Sequence, residues 1–178
     1  MKYFIYLLAV VALLGLNVGL FGSMRIYNQI PNLLLLFVIF ASLEKKSAEL
    51  LYIMLLCGAA LDFYSTNFFG GYALGFLLVG LIISVFSENF LLLDFSWKTL
   101  SGLLLGALFL LKLVLWLYGL LALKFNWVKV AYSVDLNFYH LAAEYLYNWV
   151  LLYPIFLIHD FLKKNIDNYY AHKRGVVR

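Results

Sequence analysis

The run from Leu100 to Leu123, LSGLLLGALFLLKLVLWLYGLLAL, decides the fold class, because Lys112 is its only charged residue. A helix of this length extends about 36 Å, enough to cross a hydrocarbon core of about 30 Å. Over all 178 residues, 66% are hydrophobic and 12% are charged, against roughly 45–50% and 25% in an ordinary soluble domain. The composition therefore predicts an all-α membrane protein.

Five further apolar runs compete for the same role as membrane crossings. They are Tyr3 to Phe21, Ile26 to Leu43, Ser47 to Leu61, Phe68 to Phe86 and Phe138 to Leu162. The second and third runs are short, and this leaves open whether they cross fully or form a re-entrant hairpin. Either way the number of crossings is even. We predict one polytopic transmembrane domain over residues 1–178, a bundle of six helices or, failing that, four.

The distribution of Lys and Arg predicts the orientation of the bundle, because such residues concentrate in cytoplasmic loops. With six crossings, nine of these residues share the side of the N-terminus, and three lie on the other side. The nine are Lys2, Lys45, Lys46, Lys98, Lys163, Lys164, Lys173, Arg174 and Arg178; the three are Arg25, Lys124 and Lys129. Both termini should therefore be cytoplasmic.

Residues 163–178 then form a basic tail, which we expect to lie on anionic lipid headgroups in preference to serving as a docking peptide. On the outer side, residues 127–136 are expected to form a short strand or an interfacial loop.

Lys112 is a candidate functional residue, because an ionisable side chain within a bilayer is costly. Glu144 lies in the last run, and its depth differs from that of Lys112 by about 7 Å, within reach of a lysine side chain. The spacing predicts an intramembrane ion pair between them. A structural role in fixing helix register is favoured over a role in transport or catalysis.

Three GxxxG spacings provide candidate helix-packing surfaces. They pair Gly15 with Gly19, Gly71 with Gly75, and Gly102 with Gly106. Small residues one turn apart let helix backbones approach closely. We expect some of these pairs to pack inside the bundle and others to receive a partner's helix.

No catalytic or metal-binding motif occurs in the sequence. It contains no GxSxG, HExxH or Walker loop, and these motifs would be expected of the corresponding enzymes. Cys57 is the only cysteine, so neither a disulfide within the chain nor a cysteine metal site is possible. The sequence therefore predicts a protein without enzymatic activity, cofactor or metal.

The stretch from Gly58 to Gly71, GAALDFYSTNFFGG, ends one helix and begins the next. The carboxylate of Asp62 is expected to cap this turn, while Gly70 and Gly71 supply backbone freedom and close packing. On this evidence alone the stretch is structural.

The same stretch resembles the rod shape-determining protein MreD family. That family's pattern of Gly, then Asp four residues on, Ser three residues later and Gly five residues later is met by Gly58, Asp62, Ser65 and Gly70. Thr66 departs from the pattern, because many members have glycine directly after the serine.

Two further features resemble the same family. Pro31 and Asn32 open a leucine-rich run, as in the family's second helix, and Pro154 lies within the final helix, ahead of a basic tail. The likeness extends from about Pro31 to the C-terminus.

The resemblance implies a non-enzymatic scaffold subunit of the bacterial cell-elongation machinery, located in the cell (inner) membrane. The implied partners are an MreC-like single-span protein, an MreB-like actin filament, a RodA-type glycosyltransferase and a class B penicillin-binding protein. It also implies a six-helix fold similar to the substrate-binding subunits of energy-coupling-factor vitamin transporters. A small-molecule-binding subunit of such a transporter is the alternative hypothesis. Which helix faces contact which partner is left open.

Overall fold

A computed structural model of the chain describes residues 2–25, 29–44, 48–65, 69–90, 97–125 and 137–173. Its six helices are α1 (Lys2–Gly19), α2 (Leu33–Glu44), α3 (Ala48–Tyr64), α4 (Gly71–Phe90), α5 (Trp97–Lys124) and α6 (Phe138–Lys173). None of the described residues forms a strand element. The predicted all-α architecture with six helices is therefore confirmed over these residues. The predicted outer strand or loop at residues 127–136 lies outside them.

Helix α2 is the centre of the bundle. Every residue from Leu33 to Ser42 is buried, and α2 packs against each of the other five helices. Its 12 residues extend only about 18 Å, less than the hydrocarbon thickness of about 30 Å. Because the other five helices surround α2, its flanks are covered by protein along its whole length.

Two helix boundaries differ more from the prediction than the others do. The second helix begins at Leu33 and not at Ile26, because Pro31 disfavours helical geometry in the residue before it and Asn32 provides the N-cap. The last helix does not end near Leu162 but continues to Lys173. The Lys164 ammonium lies 2.6 Å from the Asp160 carboxylate one turn earlier, a spacing that supports a helix.

The outer helices expose apolar side chains, while several polar side chains are buried. Phe4, Phe109, Val150 and Phe161 are each more than half exposed. The buried polar or charged residues are Asn17, Ser42, Asp62, Ser84, Glu144, Asn148 and His159. Two helices, α5 and the part of α6 from Phe138 to Asn165, are long and apolar enough to cross a membrane by length and composition.

Candidate functional site

The candidate site is the junction between α3 and α4, which is built around the carboxylate of Asp62. Its Oδ1 accepts a hydrogen bond from the backbone N–H of Tyr72 at 2.9 Å, and its Oδ2 accepts one from that of Ala73 at 3.0 Å. These N–H groups lie in the first turn of α4, where no intrahelical acceptor exists. Asp62 is 3% exposed. One buried side chain near the end of α3 therefore caps the start of α4, as the sequence predicted for the turn.

Gly58 lies one turn before Asp62 and faces the same helix. A Cβ at this position would overlap the Cα of Ala73 and lie 2.9 Å from the carbonyl oxygen of Tyr72. Both obstacles are backbone atoms, which cannot move aside as a flexible side chain can. The absence of a side chain at Gly58 therefore lets α4 come close enough for its N–H groups to reach the Asp62 carboxylate.

Ser65 and Gly70 bound the turn between the two helices. The Ser65 N–H donates to the Leu61 carbonyl at 2.7 Å, and its hydroxyl donates to the Asp62 carbonyl at 3.4 Å, so Ser65 bonds to the last turn of α3. Gly70 has φ of 99°, in the left-handed region that glycine adopts without steric cost. Thr66, the departure from the MreD pattern, lies outside the described residues. All four residues of the pattern thus meet at one junction.

Tyr118 connects this junction to α5, and sequence reasoning missed it. Its hydroxyl donates to the Phe69 carbonyl at 3.0 Å, directly before Gly70. Its ring also packs on Gly71, where a Cβ would lie 3.3 Å from Tyr118 Cδ1. A tyrosine in an apolar run gives no sequence signal that separates this contact from an interfacial anchor.

We expect Gly58→Ala to lower the free energy of unfolding by about 1–3 kcal/mol, the usual cost of forcing an extra carbon into a packed interior. Thermal unfolding in detergent micelles measures it. Gly102→Ala is the matched control, because a Cβ there would meet no atom of another helix within 4 Å. The control should be stabilised by up to about 1 kcal/mol, as alanine favours helices over glycine. Equal stability of both variants would refute the close approach at Gly58.

A second polar assembly holds the start of α2 against α6. The side-chain Oδ1 of Asn32 accepts from the Leu35 N–H at 3.0 Å and so caps α2. The Asn32 N–H in turn donates to Asn148 Oδ1 at 2.8 Å. Asn148 is fully buried and donates through Nδ2 to the Glu144 carbonyl at 2.8 Å. Sequence reasoning singled out Asn32 with Pro31, which is also buried, but missed Asn148.

The structure brings the predicted pair Lys112 and Glu144 together. Lys112 Nζ lies 2.7 Å from Glu144 Oε2, and the two side chains are 12% and 11% exposed. No described residue gives Oε2 an aligned hydrogen bond, so the contact with Lys112 is one of charge and distance. Because Glu144 lies one turn before Asn148, the ion pair and the amide network together join α5, α6 and α2.

The three GxxxG pairs have different surroundings. Gly71 and Gly75 pack inside the bundle: a Cβ on Gly75 would lie 2.5 Å from Leu111 Cδ1 on α5. The pairs Gly15 with Gly19 and Gly102 with Gly106 are exposed, and a Cβ at any of the four would meet no atom of another helix within 4 Å. One pair thus shapes the bundle and two face outward.

Another charged cluster lies where α2 ends beside α6. The Glu44 carboxylate lies 3.2 Å from Lys163 Nζ and 3.9 Å from His159 Nδ1. His159 is 3% exposed and packs its ring against Phe37 and Phe40. Its burial could not be deduced locally, since it depends on the neighbouring helix.

Pro154 and Cys57 take part in none of the polar contacts described above. Pro154 lies within α6, which continues past it, and is exposed. Cys57 is fully buried. Among the described residues, no group of three or more His, Cys, Asp and Glu side chains could hold a metal ion. The site as built joins helices and fixes their spacing.

Comparison of the chain with protein-family models, with curated proteins and with solved structures finds no match.

Proposed function

We propose that the chain is a multi-pass protein of the bacterial cell (inner) membrane, with both termini in the cytoplasm. The exposed apolar side chains of the outer helices support this proposal, because soluble monomers rarely expose apolar patches above a few hundred Å². The buried polar groups bonded to one another are also typical of a bundle surrounded by lipid. The excess of Lys and Arg on the side of the N-terminus supports the orientation.

Within that membrane, we propose a non-enzymatic scaffold of the cell-elongation complex, which maintains rod shape and peptidoglycan synthesis. The observation that carries this proposal is the α3–α4 junction. Of the residues of the MreD pattern, Asp62 and Gly58 bring α4 against α3, while Ser65 and Gly70 shape the turn between the two helices. A motif whose residues set the positions of helices is consistent with a protein that acts through the shape of its surface. By resemblance, its partners would be MreC-like, MreB-like, RodA-type and class B penicillin-binding proteins.

The buried polar groups favour the scaffold over a vitamin-type transporter subunit. A small-molecule site needs convergent polar groups directed into a pocket. In the described part of the bundle, Asn32, Asn148 and Asp62 are engaged with backbone groups or with each other, and Lys112 pairs with Glu144. These side chains stabilise helix contacts and so are not directed toward a ligand.

Depletion of the protein is expected to convert rod-shaped cells to spheres, because the elongation complex would lose the subunit that holds its members together. The measurement is the ratio of cell length to width after the chromosomal copy is placed under a titratable promoter. Expression of the wild-type chain from a plasmid, as the control, should restore rods. Unchanged cell shape together with lost uptake of a vitamin would overturn the scaffold proposal in favour of the transporter subunit.

A further inference from the structure

A groove of about 790 Å³ lies between the C-terminal half of α4 and the N-terminal half of α5. From α4 it is lined by Ile82 and Phe86, and from α5 by Gly102, Gly106 and Leu110. Its volume falls within the range of about 300–1,000 Å³ typical of small-molecule sites. Its walls are almost entirely apolar, so the chemistry that fits it is that of a hydrocarbon chain.

Glycines on the two helices give this groove its shape. Toward the start of α4, Gly71 and Gly75 let that helix approach Leu111 and Leu115 of α5 closely. Toward the end of α4, larger side chains such as Ile82 face the glycines of α5 instead. The helices are therefore in contact on one side of Leu111, and the groove extends from there toward the start of α5.

Gly102 and Gly106 leave the α5 side of the groove open. Both line the groove, and a Cβ on either would meet no atom of another helix within 4 Å. A Cβ at either position would thus enter the groove without meeting any other part of the bundle. This property makes the groove testable by substitution.

The length of the groove matches one leaflet of a bilayer. From Lys98 to Leu110, α5 rises about 18 Å, and half of a hydrocarbon core is about 15 Å. A partner's transmembrane helix that packed along α5 over its whole length would need a contact surface through both leaflets, and the closure at Leu111 interrupts such a surface. The dimensions favour a lipid chain over a helix.

A cation lies at the open end of the groove. Lys98 lines it, is exposed, and pairs with no carboxylate among the described residues. In the proposed orientation, Lys98 lies at the depth of the cytoplasmic headgroups, where anionic phospholipids are concentrated. A positive charge at the mouth of an apolar groove complements a lipid that has a negative headgroup.

We propose that this groove is a specific site for one anionic phospholipid of the cytoplasmic leaflet. Its phosphate lies at Lys98, and an acyl chain runs along Gly102 and Gly106 toward Leu110. The inference depends on the proposed membrane orientation but not on the scaffold role.

The test is native mass spectrometry of the full chain, purified in detergent, delipidated and titrated with phosphatidylglycerol or with zwitterionic phosphatidylcholine. The wild type is expected to bind one phosphatidylglycerol at least tenfold more tightly than phosphatidylcholine. Gly102→Leu and Gly106→Leu should abolish this binding. Lys98→Gln should retain binding but lose the preference for the anionic lipid.

Gly15→Leu is the matched control, because Gly15 is also an exposed helical glycine with free space around it; it should bind as the wild type does. Equal binding by wild type and Gly102→Leu would overturn the proposal, as would the absence of any one-to-one complex. Loss of a co-purifying single-span protein in Gly102→Leu, with lipid binding unchanged, would assign the groove to a partner helix instead. Since cell shape does not enter the measurement, failure here is distinct from failure of the scaffold proposal.

Discussion

Asp62→Ala is expected to lower the free energy of unfolding by roughly 3–5 kcal/mol, because it removes two hydrogen bonds to a charged acceptor, each worth about 1.5–3 kcal/mol. The variant leaves the Tyr72 and Ala73 N–H groups at the partly buried start of α4 without their acceptor. It also leaves a void where the carboxylate was. The loss should therefore exceed the cost of about 0.5–2 kcal/mol that is usual for removing an exposed helix cap.

Thermal unfolding in detergent micelles, monitored by the amount of monodisperse protein that remains, measures this loss. A change of this size corresponds to a midpoint about 10 °C lower, on the scaling known for domains of 150–250 residues. Asp160→Ala is the control, since it removes the same charge from a partly exposed side chain paired with Lys164. Such surface pairs contribute about 0–1 kcal/mol. Equal midpoints for the two variants would contradict the role of Asp62 as a buried cap.

The features predicted correctly from sequence have local causes. A cap by Asp62 could be expected because an acidic residue follows an apolar run and two glycines follow it, and turn chemistry acts within a few residues. The approach of Lys112 to Glu144 could be expected because helical rise converts residue number into depth. Six helices could be expected from the apolar runs alone. In each case the spacing of residues along the chain is enough to make the prediction.

The features that sequence could not predict depend on which face of a helix points inward. Gly71 and Gly102 have the same spacing to a second glycine, yet the first is buried and the second is exposed. Asn148 and His159 occur in an apolar helix like many interfacial residues, but each is buried by a neighbour on α2. When apolar residues surround a helix on all sides, periodicity does not distinguish its packed face. Only the arrangement of the helices shows which face is packed.

The buried polar contacts and the close-packed glycines together stabilise a single arrangement of the helices. Asp62 fixes α4 on α3, Asn148 fixes α2 on α6, and the Lys112–Glu144 pair fixes α5 on α6. In the proposed lipid environment there is no hydrophobic driving force between helices, so such contacts and close packing would distinguish one arrangement from another. A scaffold whose partners recognise helix surfaces requires that uniqueness. The same requirement predicts that the charged pair is needed as a pair and not as two separate charges.

Lys112→Met is expected to lower the free energy of unfolding by about 3–5 kcal/mol, because it leaves the buried Glu144 carboxylate without its cation. Glu144→Met should lower it as well, because it removes the carboxylate that lies beside the Lys112 ammonium. The double variant should lie within about 1 kcal/mol of the wild type or above it, since apolar side chains of similar volume commonly replace a buried ion pair without loss. The four proteins form a double-mutant cycle, and its coupling energy isolates the interaction.

The double variant also separates structure from mechanism. If the pair only fixes α5 against α6, the variant carrying Lys112→Met and Glu144→Met should fold and restore rod shape in depleted cells to the level of the wild type. If the charges bind a substrate or carry a proton, the variant should fold as well and yet fail to restore function, because both charges are gone. Additive losses in the two single variants, with no coupling, would show that the 2.7 Å contact does not stabilise the bundle. Stability and cell shape measured on the same four proteins therefore determine whether Lys112 and Glu144 fix helix register or take part in transport.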